Sequence, residues 1–126
     1  MKPHFSPYVV AGDLVFVSGQ LGFGDDGALV GKDIEAQTER ALHNLEAVLR
    51  QAGLARRDIV KATCWITNGE DFARFNAAYA AFFGDHKPAR STVVSGLAAP
   101  GAVVEIEAVA YFGHKAPHRG NAPIQA

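Results

Sequence analysis

Apolar residues recur along this chain at two different spacings, which separate the predicted helices from the predicted strands. Between Asp33 and Gly53, apolar residues recur at steps of three and four, which is the spacing of a helix with one buried side. Asp33 is expected to cap the start of this helix, and Gly53 to mark its end. A second helix is expected to begin at Asn68 or Asp71 and to stop at Gly84. Its predicted core stripe consists of Phe72, Phe75, Tyr79 and Phe82.

The remaining apolar runs are short and rich in β-branched residues, which predicts strands. The runs on either side of Gly12-Asp13 are expected to pair as a hairpin, because a turn signal joins them. A glycine-rich loop from Gly22 to Gly31 follows. Further strands are predicted at Ile59–Ile66, Arg90–Val94 and Ala102–Phe112. The pattern therefore predicts an α+β domain whose two helices cover one face of a sheet.

The other face of that sheet carries more apolar area than a monomer would leave exposed. In the last strand, Val104, Ile106, Ala108, Ala110 and Phe112 alternate with a half-apolar row of Val103, Glu105, Glu107, Val109 and Tyr111. The strand at 59–66 is expected to bury Val60, Ala62, Cys64 and Ile66, and to add Ile59, Thr63 and Trp65 to the open face. A sheet with a few stray apolar residues is one interpretation; we favour a homo-oligomer that packs these faces together.

Charge in strand-like sequence marks Arg90, Glu105 and Glu107, because a buried charge is costly without a partner or a ligand. Alternation places the two glutamates on the open face, about 7 Å apart. A hairpin through Ser95 to Gly101 would bring Arg90 close to them. Such a group is either an internal ion pair or a site in which arginine holds a carboxylate and glutamate handles water. The residues alone leave both alternatives open.

Composition narrows the functional classes. The net charge of -1 is spread along the chain, which argues against tight nucleic-acid binding. No run is long enough to span a membrane, and the N-terminus has no apolar leader, so a soluble, cytoplasmic protein is expected. The single cysteine, Cys64, excludes an internal disulfide or a cysteine-based zinc site and is expected to be inert packing.

Two motifs suggest ligands that the chemistry around them does not support. Gly22 to Gly27 matches the glycine spacing of a dinucleotide loop, but Asp25 and Asp26 would repel a pyrophosphate. His114 and His118 have a spacing suited to a metal, without a carboxylate or cysteine nearby. They lie in residues 114–126, which lack periodicity and are predicted to form a flexible C-terminal tail. We therefore expect neither a nucleotide cofactor nor a metal.

Several short motifs occur in an order and spacing that are specific only when taken together. They are Pro7-Tyr8, Val17-Ser18-Gly19-Gln20, Asp33-Ile34, Gln37-Thr38, Asn44, Asp71-Phe72, Asn76, Tyr79, Phe82-Phe83, Pro88-Ala89-Arg90-Ser91, Pro100-Gly101-Ala102 and Val104-Glu105-Ile106-Glu107. In these motifs the chain resembles the Rid family, the reactive intermediate (enamine and imine) deaminases also called YjgF-like proteins. The resemblance covers nearly the whole chain.

The resemblance implies a chorismate-mutase-like α+β fold over residues 1–113, assembled as a homotrimer with active sites between subunits. It implies hydrolysis of imines such as that of 2-aminoacrylate to a 2-keto acid and ammonia, without a cofactor. Arg90 would hold the substrate carboxylate, Glu105 would serve the attacking water, and Glu107 would support it. The residues implied to line the pocket are Tyr8, Ser18, Gly19 and Asn76, with the backbone of Thr92 beside the reacting nitrogen or its water.

The chain departs from the best-studied branch of the family at three places. Thr92 replaces a cysteine, the segment Gly84–Pro88 is shorter, and Leu21-Gly22-Phe23-Gly24 follows the glutamine. These changes leave open a larger imine or an aminomuconate-like enamine as the substrate. A non-catalytic trimer that binds a small carboxylate for regulation is a second alternative. A nuclease fits poorly, because the chain has no basic stripe with stacking aromatics.

Overall fold

The computed structural model describes residues 3–113 as one α+β domain, as predicted; the predicted tail, 114–126, lies outside these residues. A single sheet has the strand order β1-β2-β5-β3-β4, in which only β3 and β4 are parallel. The elements are β1 (Tyr8–Ala11), β2 (Leu14–Gln20), α1 (Ile34–Gln51), β3 (Ile59–Ile66), α2 (Phe72–Phe83), β4 (Ala89–Val94) and β5 (Val104–Tyr111).

The ends of the helices follow from local chemistry. Asp33 accepts a hydrogen bond from the backbone N–H of Ala36 at 3.1 Å, which confirms it as the cap of α1. Asn68 instead caps a 3-10 turn, Gly69–Asp71, and α2 begins directly after that turn. Gly84 ends α2 at a φ of 62°, a backbone conformation that residues with a Cβ rarely adopt.

The core lies between one face of the sheet and the two helices. The predicted inner row of β5 is buried, with Val104, Ile106 and Ala110 at 0% exposure, and it packs against Leu45 and other residues of α1. Each large aliphatic side chain buried in this way contributes about 1.5 to 3 kcal/mol. The predicted stripe of α2 was wrong at one position: Phe72, the first residue of the helix, is 42% exposed. Its remaining members are buried, together with Phe83.

A β-bulge at the start of β3 reverses two predicted burials. The pairing of β3 with β5 shifts register between Ile59 and Lys61, so that one residue of β3 is left over. As a result Ile59 is fully buried, whereas Val60 is 44% exposed. Strict alternation predicted the opposite, and that prediction was wrong.

The predicted hairpin between β4 and β5 was also wrong. The helix α2 carries the chain from β3 across to β4, which therefore runs parallel to β3 at the edge of the sheet. The strand β5 then enters between β2 and β3. In this register Arg90 lies beside Ala62, whose side chain is in the core, and Glu105 lies beside Trp65 on the open face.

The open face of the sheet carries exposed apolar side chains, as predicted. Phe16 and Tyr111 are both 44% exposed, and Val93 is 40% exposed. Homo-oligomerisation through this face stays a prediction. Among residues 3–113, none of the helices combines the length and the apolar character needed to cross a membrane.

Candidate functional site

The predicted site residues fall into two groups, and the first of them surrounds Arg90. The guanidinium donates from Nη1 to Oδ1 of Asn76 at 2.8 Å. Its Cζ atom lies 4.7 Å from the centre of the Tyr79 ring, so that the cation is also held against an aromatic face. Thr92 follows on the same side of β4, beside the buried Cys64. We call Asn76, Tyr79, Arg90 and Thr92 the arginine group.

Asn76, Tyr79 and Arg90 of the arginine group border an open cleft of about 500 Å³ between the second half of α2 and the start of β4. Two cationic side chains, Lys87 and Arg90, line this cleft. None of the described residues that line it has a carboxylate. The electrostatics of the cleft therefore favour an anionic ligand.

Two hydroxyl groups of the arginine group are buried without a hydrogen-bond partner among residues 3–113. They are Oγ1 of Thr92 and the phenolic oxygen of Tyr79. Burial raises the pKa of Tyr79 to about 12, so its hydroxyl keeps its proton at neutral pH. Burial likewise raises the pKa of Cys64 to about 12, which agrees with its predicted role as inert packing.

The second group lies where β2 meets β5. The register between these strands shifts between Val17 and Gln20, so that Ser18 and Gly19 form a bulge. Ser18 donates from Oγ to the carbonyl of Ser6 at 2.6 Å, which ties down the segment before β1. Tyr8, in β1, pairs with Val17 at the edge of this bulge. We call Tyr8, Ser18, Gly19 and Glu105 the glutamate group.

The carboxylate of Glu105 lies directly over Gly19. A Cβ atom at position 19 would overlap Oε2 of Glu105 and come within 2.9 Å of its Cδ. Glycine is therefore the residue that leaves room for this carboxylate. On its other side Glu105 borders a hollow of about 230 Å³, together with Trp65 and the loop 95–98.

Glu105 has the electrostatics of a group that can exchange a proton. Its pKa is raised above the ordinary value, first by burial and then by the negative charge of Glu107. Within residues 3–113 it forms no ion pair. A half-buried carboxylate with a raised pKa is a stronger base than an ordinary carboxylate, which suits it to accept a proton from water.

The structure does not bring the two groups together within one chain. Arg90 is in the row of Ala62 and Ala108, whereas Glu105 lies three positions away from Ala108 and on the opposite face. With usual strand dimensions, the Cα atoms of Arg90 and Glu105 are roughly 14 Å apart, and their side chains extend from opposite faces of the sheet. An internal ion pair between Arg90 and Glu105 or Glu107 is therefore contradicted, and Arg90 has no carboxylate partner among residues 3–113.

Sequence reasoning missed three residues that belong to these groups or lie beside them. Tyr79 was assigned to the core, although its ring also supports Arg90. Trp65 was assigned to the oligomer face without its place beside Glu105. Lys87 was not assigned, although its position three residues before Arg90 was a signal that both could reach one ligand. Across residues 3–113, His, Cys, Asp and Glu side chains form no group of three or more that could hold a metal ion.

Comparison with known proteins gives this geometry a family context. The family model described as endoribonuclease L-PSP matches residues 2–112. A 2-iminobutanoate/2-iminopropanoate deaminase of Salmonella typhimurium is 39% identical over 110 residues, which cover 82% of this chain and 86% of that protein.

Solved structures give the same result. YyfA of Yersinia pestis, described as a member of the Rid protein family, is 41% identical with a TM-score of 0.82, covering 88% of this chain and 90% of that one. The YjgF gene product of E. coli is 36% identical with a TM-score of 0.79, covering 85% and 87% of the two chains. The chain belongs to the Rid/YjgF family.

Proposed function

We propose that this chain is a deaminase that hydrolyses reactive imines and enamines of 2-amino acids to 2-keto acids and ammonia. The observation that carries the proposal is Arg90, a half-buried cation that borders a cleft and has no carboxylate partner among residues 3–113. The named activity of the Salmonella relative supports the same reaction.

Arg90 is suited to hold the carboxylate of a 2-imino acid. Asn76 occupies Nη1 of the guanidinium at 2.8 Å, and the ring of Tyr79 lies against its face. Both neighbours are neutral, so they orient the guanidinium without neutralising it. Each charged hydrogen bond to a ligand carboxylate would contribute roughly 1.5 to 3 kcal/mol.

Glu105 is the group that would activate water. Its carboxylate takes a proton from a water molecule whose oxygen bonds to the imine carbon, while the imine nitrogen takes up a proton from solvent. Protonated Glu105 then returns its proton to the nitrogen of the resulting carbinolamine, the C–N bond breaks so that ammonia leaves, and the hydroxyl group releases its proton to solvent as the carbonyl forms. Orientation of the two reactants accounts for the acceleration, because such imines already hydrolyse in water.

Other members of both groups would complete the pocket. In this proposal Tyr8, Ser18 and Gly19 surround the glutamate, and the backbone of Thr92 contacts the reacting nitrogen or its water. Glu107 supports Glu105 through the charge that raises its pKa.

The site is proposed to form between subunits of a homotrimer. Arg90 and Glu105 lie on opposite faces of one sheet, so a substrate cannot contact both within a single chain. An arrangement in which the open face of one subunit meets the edge strand β4 of the next would bring the two groups together. Cyclic assemblies repeat such a contact at every interface.

The direct test is an assay in which an amino-acid oxidase generates the imine and its decay is followed with and without the protein. We expect Arg90→Ala to lower kcat/KM by about a hundredfold or more, because the carboxylate loses its anchor. Circular dichroism and light scattering check that the variant keeps its fold and assembly. An Arg90→Ala protein with the wild-type rate would refute the assignment; Arg90-dependent binding of a 2-keto acid without ammonia release would indicate a regulatory binding protein.

Subunit mixing tests whether each site takes Arg90 and Glu105 from different chains. Arg90→Ala and Glu105→Gln chains, carrying different tags, would be co-expressed and purified on both tags in turn. Every mixed trimer then has one interface with both native residues, so about a third of wild-type activity should return. Homomers of either variant are the controls. Mixed trimers as inactive as those controls would place the whole site within one chain.

A further inference from the structure

The cleft beside Arg90 is larger and more positively charged than a small imino acid requires. Its volume of about 500 Å³ lies within the range of pockets that bind drug-sized ligands. A 2-aminoacrylate anchored on Arg90 would leave most of this space unused. The part of the cleft away from Arg90 is bordered by the loop between α2 and β4, which includes Lys87.

The structure holds this loop in place from both sides. His86 donates from Nε2 to the carbonyl of Ile59 at 2.7 Å, and its ring lies 6.0 Å from that of Phe83. Gly84 makes the turn out of α2, and Pro88 fixes the backbone before β4. Lys87 is therefore an exposed cation presented from an anchored loop.

Lys87 and Arg90 are within reach of one small molecule. Their Cα atoms are at most about 11 Å apart, since the two residues are three positions apart along the chain. Both side chains line the same cleft, and none of the described lining residues carries a carboxylate that would neutralise either one. Asp85, in the same loop, is not among the lining residues.

From this arrangement we infer that Lys87 is a specificity residue and that the cleft selects 2-imino acids with a second carboxylate. Arg90 binds the carboxylate next to the imine carbon, and the ammonium of Lys87 binds the distal one. Aromatic surface from Tyr79 and Phe83 contacts the carbon chain between them. The inference names the substrate class of the deaminase proposed above and rests on that function.

Binding of stable keto acids tests the inference without depending on turnover. Titration calorimetry on the full chain would compare 2-oxoglutarate, a dicarboxylate, with 2-oxobutanoate, a monocarboxylate. We expect the wild type to bind 2-oxoglutarate about tenfold more tightly, the equivalent of one further charge-assisted contact. Lys87→Ala should reduce this ratio to near unity, and Lys87→Glu should invert it.

Lys32→Ala is the matched control, because it removes the same exposed charge at the other end of the helix layer, before α1. It should leave the ratio of affinities unchanged. Equal affinities for the two keto acids in the wild type, or a ratio that Lys87→Ala does not change, would overturn the inference.

The same titrations, combined with the imine assay, separate this inference from the proposed function. Imine hydrolysis that depends on Arg90 but shows no preference for dicarboxylates would leave the deaminase standing and refute the role of Lys87. A Lys87-dependent preference for the dicarboxylate without imine hydrolysis would support the role of Lys87 in binding and refute the deaminase. Failure to bind either keto acid would overturn both.

Discussion

Two arginines, Arg56 and Arg90, contact aromatic residues of α2. They differ in whether a carboxylate neutralises the charge of the guanidinium. Arg56 donates from Nε and Nη2 to the two carboxylate oxygens of Glu46, at 2.9 and 2.6 Å, and its Cζ lies 3.9 Å from the Phe82 ring centre. Arg90 lies over Tyr79 in a similar way, but its partner within residues 3–113 is the neutral amide oxygen of Asn76. The first arginine is fully paired, whereas the second is held in place with its charge still available.

The two environments indicate different roles for the same residue type. Arg56 also donates to the carbonyl of Phe82 at 2.6 Å, so it joins α1, α2 and the 3-10 turn Arg56–Asp58. Its hydrogen bond to Glu46 is the main reason that the pKa of this carboxyl lies below its ordinary value. Arg56 is thus structural, while Arg90 borders a cleft without such a partner.

The largest expected effect comes from breaking the paired arginine. Arg56→Ala would leave Glu46, whose side chain is only 8% exposed, with the more distant and more exposed Arg50, at 3.8 Å, as its remaining cationic partner. We expect the free energy of unfolding to fall by about 3 kcal/mol in urea denaturation. Arg57→Ala removes an exposed arginine from the same turn and should change it by less than about 0.5 kcal/mol. Equal stability of the two variants would show that the Arg56–Glu46 pair is not structural.

A smaller effect is expected when Arg90 is given a carboxylate of its own. Asn76→Asp would pair Arg90 much as Glu46 pairs Arg56, so a ligand would have to compete with this new ion pair. The affinity for 2-oxobutanoate should fall roughly tenfold, measured by calorimetry. Asn76→Ala removes the amide without adding charge and should cost only about threefold. Unchanged or tighter binding by the Asp variant would argue against Arg90 as the anion anchor.

The smallest effect is the pH dependence of stability, in which Glu46 and Glu105 should have opposite signs. The lowered pKa of Glu46 means that its contribution to stability is present above the unfolded value, about 4.3, and is lost as pH falls through the folded pKa. The raised pKa of Glu105 means that the folded state binds the proton more tightly, so stability falls as pH rises from about 4.3 through the raised value.

Glutamine variants separate these two contributions in urea melts across that pH range. Glu105→Gln should remove the loss of stability on raising pH, and Glu46→Gln should remove the loss on acidification. The exposed Glu70→Gln is the control and should leave the pH profile unchanged. Profiles of the Glu46 and Glu105 variants that change in the same direction would contradict the opposite pKa shifts.

Local signals made much of the fold predictable from the sequence. The cap at Asp33, the stop at Gly84 and the inner row of β5 each depend on a few neighbouring residues, and each was confirmed. The position of β4 in the sheet, by contrast, does not depend on neighbouring residues in the sequence. The nine-residue loop between β4 and β5, residues 95–103, fits a hairpin as well as a crossing, and the crossover through α2 had already fixed β4 beside β3.

The strand order, which local patterns do not determine, also limited what the sequence could predict about the site. Arg90 and Glu105 were correctly singled out as charges in strands, but their relation required the strand order. The bulge at Ile59 shows the same limit on a smaller scale, since one extra residue reverses the burial that alternation predicts for Val60. Lys87 lay outside any strand, so alternation did not mark it, and its nearness to Arg90 in the sequence was the signal available.

The contact between Gly19 and Glu105 has a consequence for how this sequence can change over time. A Cβ atom at position 19 and the carboxylate of Glu105 in its present rotamer would occupy the same space, so one of them has to move. Alanine at 19 would therefore displace the carboxylate, which is the flexible end of the side chain, away from its place over the bulge. We expect a substitution at position 19 to act on the site indirectly, by shifting the carboxylate on the neighbouring strand, so that a residue with no reactive group of its own alters the chemistry.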